Sequence, residues 1–392
     1  MQSPTTVTRR WVAPLASVSA ASGVFWGTFG VAFTDFITVR GLTYAGAGNQ
    51  LAALSIVSIL MMLFVTQRLE TLPRRWSVGG GAAVTTVGIA LLAVVPDRAL
   101  LVAFVVVGVG QAFEDVFVNA AGQEAEVRSQ TPVLQRLHGA YSLGAGCGAL
   151  WTGAAIQAGA GHELLLLTAA ALHLAGSLHA MSGISELREH VRRNRTGVSL
   201  SVMATAPILF VPALVLTAAY FVEGSMDVWS VLYLREGLDA SAFVGAWGLA
   251  AFSFAMALGR LFAARVLFRF GPSATLVVSG LGAMAAGSVA LVVADPLLAG
   301  TAFLVVGFCV AAAGPAAIGM AGRAGVDIGV AVAAISTFGY TGFVLGPPLL
   351  GWLADSAGVR ATMTVIVVAT VGIAVAGLLT PRGREHAPEP GR

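Results

Sequence analysis

Apolar residues run in long blocks along this chain, separated by short clusters of arginine, proline, glycine and acids. A membrane-crossing helix needs about 20 predominantly apolar residues. Twelve blocks meet that length: residues 13–39, 47–69, 77–95, 99–121, 133–158 and 163–182, then 207–234, 241–268, 273–294, 297–320, 328–352 and 359–379. The pattern predicts an all-α membrane protein with twelve transmembrane helices in two six-helix bundles. Residues 1–182 are expected to form the N-terminal bundle and residues 207–392 the C-terminal bundle with a short cytoplasmic tail. Between them, residues 183–206 form a polar gap carrying Arg188, Arg192, Arg193 and Arg195, read as a cytoplasmic linker.

The halves repeat. Gly41 and Leu42 before the second block match Gly237 and Leu238 before the eighth, an offset of 196 in a chain of 392. Two six-helix halves repeated in parallel imply a transporter whose site lies between them near the membrane midplane.

Arginine placement gives the orientation. There is no lysine, so all 22 basic residues are arginine. With both termini in the cytoplasm, only Arg40, Arg98, Arg235 and Arg360 fall outside. That asymmetry follows the positive-inside rule. The N-terminal MQSPTTVTRRW and the cluster Ser17 to Ser22 resemble a signal peptide, but the apolar run continues to Val39 and reads as the first membrane helix.

Composition supports the same class: 57% of residues are hydrophobic and only 10% charged, against about 25% charged in soluble domains. The net charge of +3 resides in short loops between apolar runs, so the partner is the lipid bilayer and not a nucleic acid. Cys147 and Cys309 lie far apart in apolar stretches. They read as small core residues, and no metal pattern, disulfide framework or cofactor motif accompanies them.

The chemistry concentrates in Gln111 to Ser142. Glu114 and Asp115 lie inside an apolar helix, where an ionised carboxylate costs roughly 3 kcal/mol or more. Gln111, Glu114, Asp115 and Val118 follow helical spacing, with Asn119 one turn beyond Asp115. The seventh block carries a second stripe, Tyr220, Glu223, Asp227 and Ser230, and Asp35 lies in the first. The offset places Asp227 opposite Val31, one turn before Asp35. No mid-span arginine is expected to pair with these acids except Arg260. A carboxylate desolvated without a counter-charge tends to take up a proton, as a proton-coupled carrier requires. Aromatics including Trp26, Tyr141, Trp151, Trp229, Trp247 and Tyr340, together with His138, are candidates to line a sugar-sized site. Pro347 and Pro348, among Gly342, Gly346 and Gly351, predict close packing and a bend in the eleventh helix. Enzyme signatures are missing: His162-Glu163 lacks the second histidine of a zinc protease motif, and no Walker loop is present.

Three stretches carry a family resemblance. They are DVFVNAAGQEAE with LHGAYSLGAG within Glu114 to Gly146, EGSMDVWSVLYLREGL with ALGRLFAARVLFRFGP within Glu223 to Pro272, and STFGYTGFVLGPPLLG from Ser336 to Gly351. These resemble the major facilitator superfamily, within it the bacterial group that includes the rhizopine permease and, more distantly, the fucose permease. The resemblance implies two bundles working by alternating access, as a functional monomer in a bacterial cytoplasmic membrane. The implied cargo is a small polar solute, sugar- or polyol-like, moved with protons, the alternative being an exporter of a secondary metabolite or drug. Fucose-type permeases use an acid in the first helix and one in the fourth, which map to Asp35 and to Glu114 or Asp115, with the choice between the last two open. Glu223 and Asp227 complete the proton and solute set, while Gln111, Asn119, His138, Tyr141, Tyr220, Trp229 and Tyr340 are the solute-binding candidates. The family loop G-x-L-x-D-R-x-G-R-R departs here: Glu70 holds the acidic position and Pro73 the second glycine, ahead of Arg74 and Arg75. Its counterpart keeps Arg269 and Gly271 but has Phe268 at the acidic position. Glu70, Arg74, Arg75, Arg260 and Arg269 are the gating candidates. Gly144, Gly146 and Gly148 stand in the fifth block without the proline of drug antiporters.

Overall fold

The computed structural model describes residues 4–69, 72–184 and 201–380. Glu70, the linker arginines and the C-terminal tail lie outside the described residues. Every regular element among the described residues is helical. The first half comprises α1 (Pro4–Val39), α2 (Tyr44–Phe64), α3 (Arg74–Val94), α4 (Leu100–Ser129), α5 (Val133–Gln157) and α6 (His162–Gly183). In the second half, α7 (Phe210–Leu232) precedes a continuous 51-residue stretch, Ala242–Val292. Gly271 interrupts that stretch with φ 73° and ψ 164°, followed by Pro272. A positive φ suits glycine, and proline cannot continue the preceding helix. The break separates α8 (242–270) from α9 (272–292). Then come α10 (Pro296–Ala321), α11 (Ile328–Ala357) and α12 (Val359–Leu379).

Ten of the described helical stretches are long and apolar enough to cross a membrane, the α8–α9 stretch counting once. The helix that falls below this hydropathy is α5, rich in glycine and alanine. It lies against α1 and α8, where small residues let backbones approach. Divided at Gly271 and joined by α5, these make the twelve expected helices.

Local signals set the ends. Thr43 caps α2 by accepting from Gly46 N at 3.0 Å, Ser241 caps α8 through Val244 N at 3.3 Å, and Asp295 caps α10 through Leu298 N at 2.8 Å. Each satisfies an amide that the first turn leaves without a partner. In α11 the chain breaks at Tyr340, between Ile328–Gly339 and Thr341–Ala357. The expected bend at Pro347 and Pro348 is thus displaced: both prolines sit within the second segment. Gly342, by contrast, fits closely against Thr217 and Phe221 of α7.

The halves meet along α1–α7, α2–α11 and α5–α8. A Cβ at Gly30 would overlap the carbonyl oxygen of Asp227, and one at Gly48 the carbonyl oxygen of Pro347. Without a strong hydrophobic drive between helices in lipid, such backbone-to-backbone packing supplies the cohesion. Large apolar side chains face outward, for example Phe268, Val278 and Val292.

Candidate functional site

Glu114 and Asp115 are neighbours in sequence but lie about 100° apart around α4, and the fold sends them to different partners. Glu114 turns into its own bundle and is 4% exposed. Its carboxylate accepts from the hydroxyls of Ser22 on α1 and Thr85 on α3, and Oε2 stands 3.4 Å from Nε2 of His173 on α6. His173 is wholly buried, its Nδ1 3.1 Å from the Ala82 carbonyl and 3.1 Å from Thr86 Oγ1. Asp115 turns to the other half, where the Tyr340 hydroxyl donates to its Oδ2 at 3.1 Å. Tyr340 packs beside Tyr220 and Phe343, with ring centroids 5.6 and 5.8 Å away.

A cavity of about 70 Å³ lies beside this stretch. Its polar lining comes from α1 (Ser19, Ser22), α4 (Gln111, Glu114, Asp115, Asn119) and α5 (His138, Tyr141). Gln111 accepts weakly from the Trp26 indole at 3.4 Å, while its buried amide nitrogen has no partner. Asn119 donates back to the Asp115 carbonyl at 2.6 Å. The structure therefore brings together Glu114, Asp115, Gln111, Asn119, His138 and Tyr141, as their spacing along α4 and α5 implies.

Arg260 of α8 bridges the halves. It donates to Glu223 Oε1 on α7 at 2.6 Å, to Ser142 Oγ on α5 at 2.6 Å and to the His138 carbonyl at 3.4 Å. The carboxylate of Asp227, one turn beyond Glu223, makes no hydrogen bond among the described residues and lies within electrostatic reach of Glu223 and Tyr141. Trp229 is 1% exposed and packs edge-on to Phe33 in the α1–α7 seam, 6.2 Å between centroids, away from the cavity lining.

One expectation needs correction. Arg260 is not the single arginine that meets these acids: Arg235, assigned to an outer loop, donates to both Asp35 oxygens at 2.6 and 3.1 Å. The helix carrying Arg235 continues through a wider turn, Tyr233–Gly237, and so keeps it within reach of α1. Nearby, the Tyr44 hydroxyl donates to Glu236. Asp355 at the end of α11 accepts from the backbone amides of Tyr44 (3.1 Å) and Ala45 (2.9 Å), capping α2 from the opposite half. Asp35 thus belongs to a polar seam at the end carrying the 40–43 and 235–241 connections, well removed from the cavity.

Among the gating candidates, Arg74 approaches Glu124 of α4 at 3.7 Å, and Arg128 joins the same carboxylate at 2.9 Å. Glu124 was not singled out from sequence. Arg75 lies over the Trp76 ring and Arg269 over the Phe270 ring. His173 is the other functional candidate that sequence reasoning missed. Its signal was faint: with Ser177 four residues on, it makes a two-residue polar stripe that meets Thr86, Ala82 and Gly79 of α3.

The sequence pattern of the Major Facilitator Superfamily matches residues 213–392. A transporter of Sinorhizobium fredii, y4wD, is 28% identical over 301 residues, covering 74% of this chain and 76% of that protein. The membrane protein MosC of Rhizobium meliloti is 27% identical, covering 74% and 70%. An MFS-type transporter of Yersinia pestis is 27% identical over 333 residues, covering 80% and 81%. Among solved structures, the nucleoside transporter NupG superposes with a TM-score of 0.71 at 13% identity, covering 95% of this chain and all of that one. A bacterial homologue of the human lysosomal transporter Spinster, inward-facing and unoccupied, superposes with a TM-score of 0.74 at 12% identity, covering 95% and 97%. At these identities the structural likeness shows the fold alone. The matching family and both structural neighbours are transporters, not enzymes.

Proposed function

We propose that this chain, a transporter of the major facilitator superfamily, moves a small polar solute across a bacterial inner membrane by proton-coupled alternating access. The observation that carries the reading is the cavity between α1, α4 and α5, rich in carboxylate, amide, imidazole and phenol groups, whose lining residues Asp115 and His138 are bonded from the other half by Tyr340 and Arg260. Such a lining suits a solute with several hydroxyls, since each can both donate and accept. Alternating access is supported by the seam: Asp35–Arg235, Tyr44–Glu236 and Asp355 at the α2 terminus join the halves at one end. With both termini cytoplasmic, that end is the outer one, and it is shut.

The working unit is a monomer. Its N-terminal bundle (residues 1–182) and C-terminal bundle (residues 207–392) rock about the site, and a proton enters with the solute. Reconstituted protein should be screened with labelled monosaccharides, cyclic polyols and nucleosides. A transported compound is expected to accumulate under an inward proton gradient and to alkalinise a lightly buffered outer medium. Flux indifferent to a collapsed gradient, or transport confined to large apolar drugs, overturns the proposal. Single-cysteine labelling checks the orientation: Asp295→Cys should react from outside and Gly325→Cys from the cytoplasm.

A further inference from the structure

The hydrogen bonds around His173 dictate how many protons it shares with Glu114. The Ala82 carbonyl can only accept, so the His173 Nδ1 facing it at 3.1 Å must carry hydrogen. That leaves Nε2 to face the Glu114 carboxylate at 3.4 Å and, at 3.3 Å, the oxygen of Ser22, whose hydrogen goes to that carboxylate. A neutral ring protonated at Nδ1 presents a lone pair there, and an ionised carboxylate presents another. Two lone pairs confronting each other in a site this dry repel. One proton between them removes the conflict, and the Ser22 and Thr85 hydroxyls then donate to the carboxylate that faces the imidazolium.

We infer that Glu114 and His173 hold a single shared proton and form the proton-carrying site of the transporter. The inference rests on the proton-coupled reading above and specifies its residues. Proton loss takes the pair from carboxylate with imidazolium to carboxylate with neutral imidazole, a change in charge from zero to −1. A buried uncompensated charge is strongly disfavoured, so the empty pair must gain water or shift. Ser22 and Glu114 both line the cavity, which gives the proton a route and lets α1 respond to its departure. Facing groups are few. The contacts from α1 and α3 are the hydroxyls of Ser22, Thr85 and Thr86, the next residue Asp115 is turned toward Tyr340, and α5 offers His138 and Tyr141 across the cavity. Asp115, tied to the opposite half through Tyr340, stands outside this pair.

The test uses the full chain in nanodiscs, labelled with ¹⁵N-histidine, with the proton itself as probe. His173→Gln assigns the ring signal among the six histidines. At pH 7 both nitrogens of His173 are expected to be protonated, and Glu114→Gln should convert the ring to the neutral form carrying hydrogen on Nδ1 alone. A parent ring with bare Nδ1, or a spectrum unchanged by Glu114→Gln, overturns the shared proton. In vesicles, Glu114→Gln and the double variant Glu114→Gln/His173→Gln, which pairs two neutral amides, should lose gradient-driven accumulation while retaining solute exchange. Accumulation by the double variant with an unchanged pH profile overturns the coupling role. If the parent itself never responds to the gradient while the spectra behave as expected, the proton-coupled reading fails, and with it the coupling role, while the shared proton stands.

Discussion

Asp35 and Arg235 form a two-point ion pair, 2.6 and 3.1 Å long, between residues 200 positions apart in the two halves of the chain. Both are partly exposed, with side-chain exposures of 34% and 16%, so water and salt weaken the attraction. Under the proposed alternating access, the pair would bias an equilibrium between closed and open outer ends without dominating it.

Asp35→Asn should loosen the outer end by roughly 1 kcal/mol, a change of about fivefold in the closed-to-open ratio. A cysteine at Asn119, in a background lacking Cys147 and Cys309, should then react faster with an impermeant thiol reagent applied outside. The swap Asp35→Arg/Arg235→Asp should return the rate toward the parent's. An unaltered rate in Asp35→Asn would show that the pair has no share in closure.

Asp355 offers a second handle on the same seam. It accepts from two amides at the start of α2, so Asp355→Ala removes an N-cap supplied from the other half. The expected loss is about 1 kcal/mol, with Asp355→Asn less affected because its amide oxygen still accepts. Gly30→Val is harsher, since its side chain would collide with the Asp227 carbonyl. It should leave the outer end unable to close, and the Asn119 cysteine should label at the open-state rate.

How much of this was legible beforehand follows from where each signal sits. The helices were readable because each is a local run of apolar residues, and even α5 declared itself by length. The polar stripe on α4 was readable because its spacing repeats within one helix. What the stripe could not tell was that Glu114 and Asp115 part company. Glu114's partners, Ser22, Thr85 and His173, come from three other helices, and no periodicity within α4 reports on them. His173 sits in a leucine- and alanine-rich helix with no acid near it in sequence, so nothing local singled it out. The pairing of Arg235 with Asp35 was hidden for a related reason: charge counting places Arg235 at the outer end, but only the wider turn at Tyr233–Gly237 brings it over α1.

Arg260 and Glu223 should behave as a coupled pair. Their side chains are only 14% and 18% exposed, and Arg260→Gln would leave Glu223 charged without a counterion. Breaking one side of such a pair costs about 3 kcal/mol or more. Arg260→Gln/Glu223→Gln should therefore be more thermally stable in detergent than Arg260→Gln alone. Arg260→Lys should recover little, because one ammonium cannot serve Glu223, Ser142 and the His138 carbonyl with the fixed fork of a guanidinium. Additive losses of stability in the double variant would mean that the pair is not energetically coupled.

The comparison of Asp115 with Glu114 decides where the proton travels. Asp115→Asn keeps an oxygen to accept from Tyr340 and keeps the side chain's size, so the contact between α4 and α11 survives. It removes only the ability to titrate. If Glu114 and His173 carry the proton, Asp115→Asn still accumulates solute under a pH gradient, with at most an altered affinity. Tyr340→Phe leaves the Asp115 carboxylate without its donor from the other half and should weaken solute binding by more than Asp115→Asn does, a hydrogen bond to a charged group contributing about 1.5–3 kcal/mol. Solute-for-solute exchange needs no net proton movement, so exchange and accumulation measured side by side separate the two roles. Exchange without accumulation in Asp115→Asn, beside normal accumulation in Glu114→Gln, would move the proton to Asp115 and leave the Glu114–His173 pair as a brace between α4 and α6.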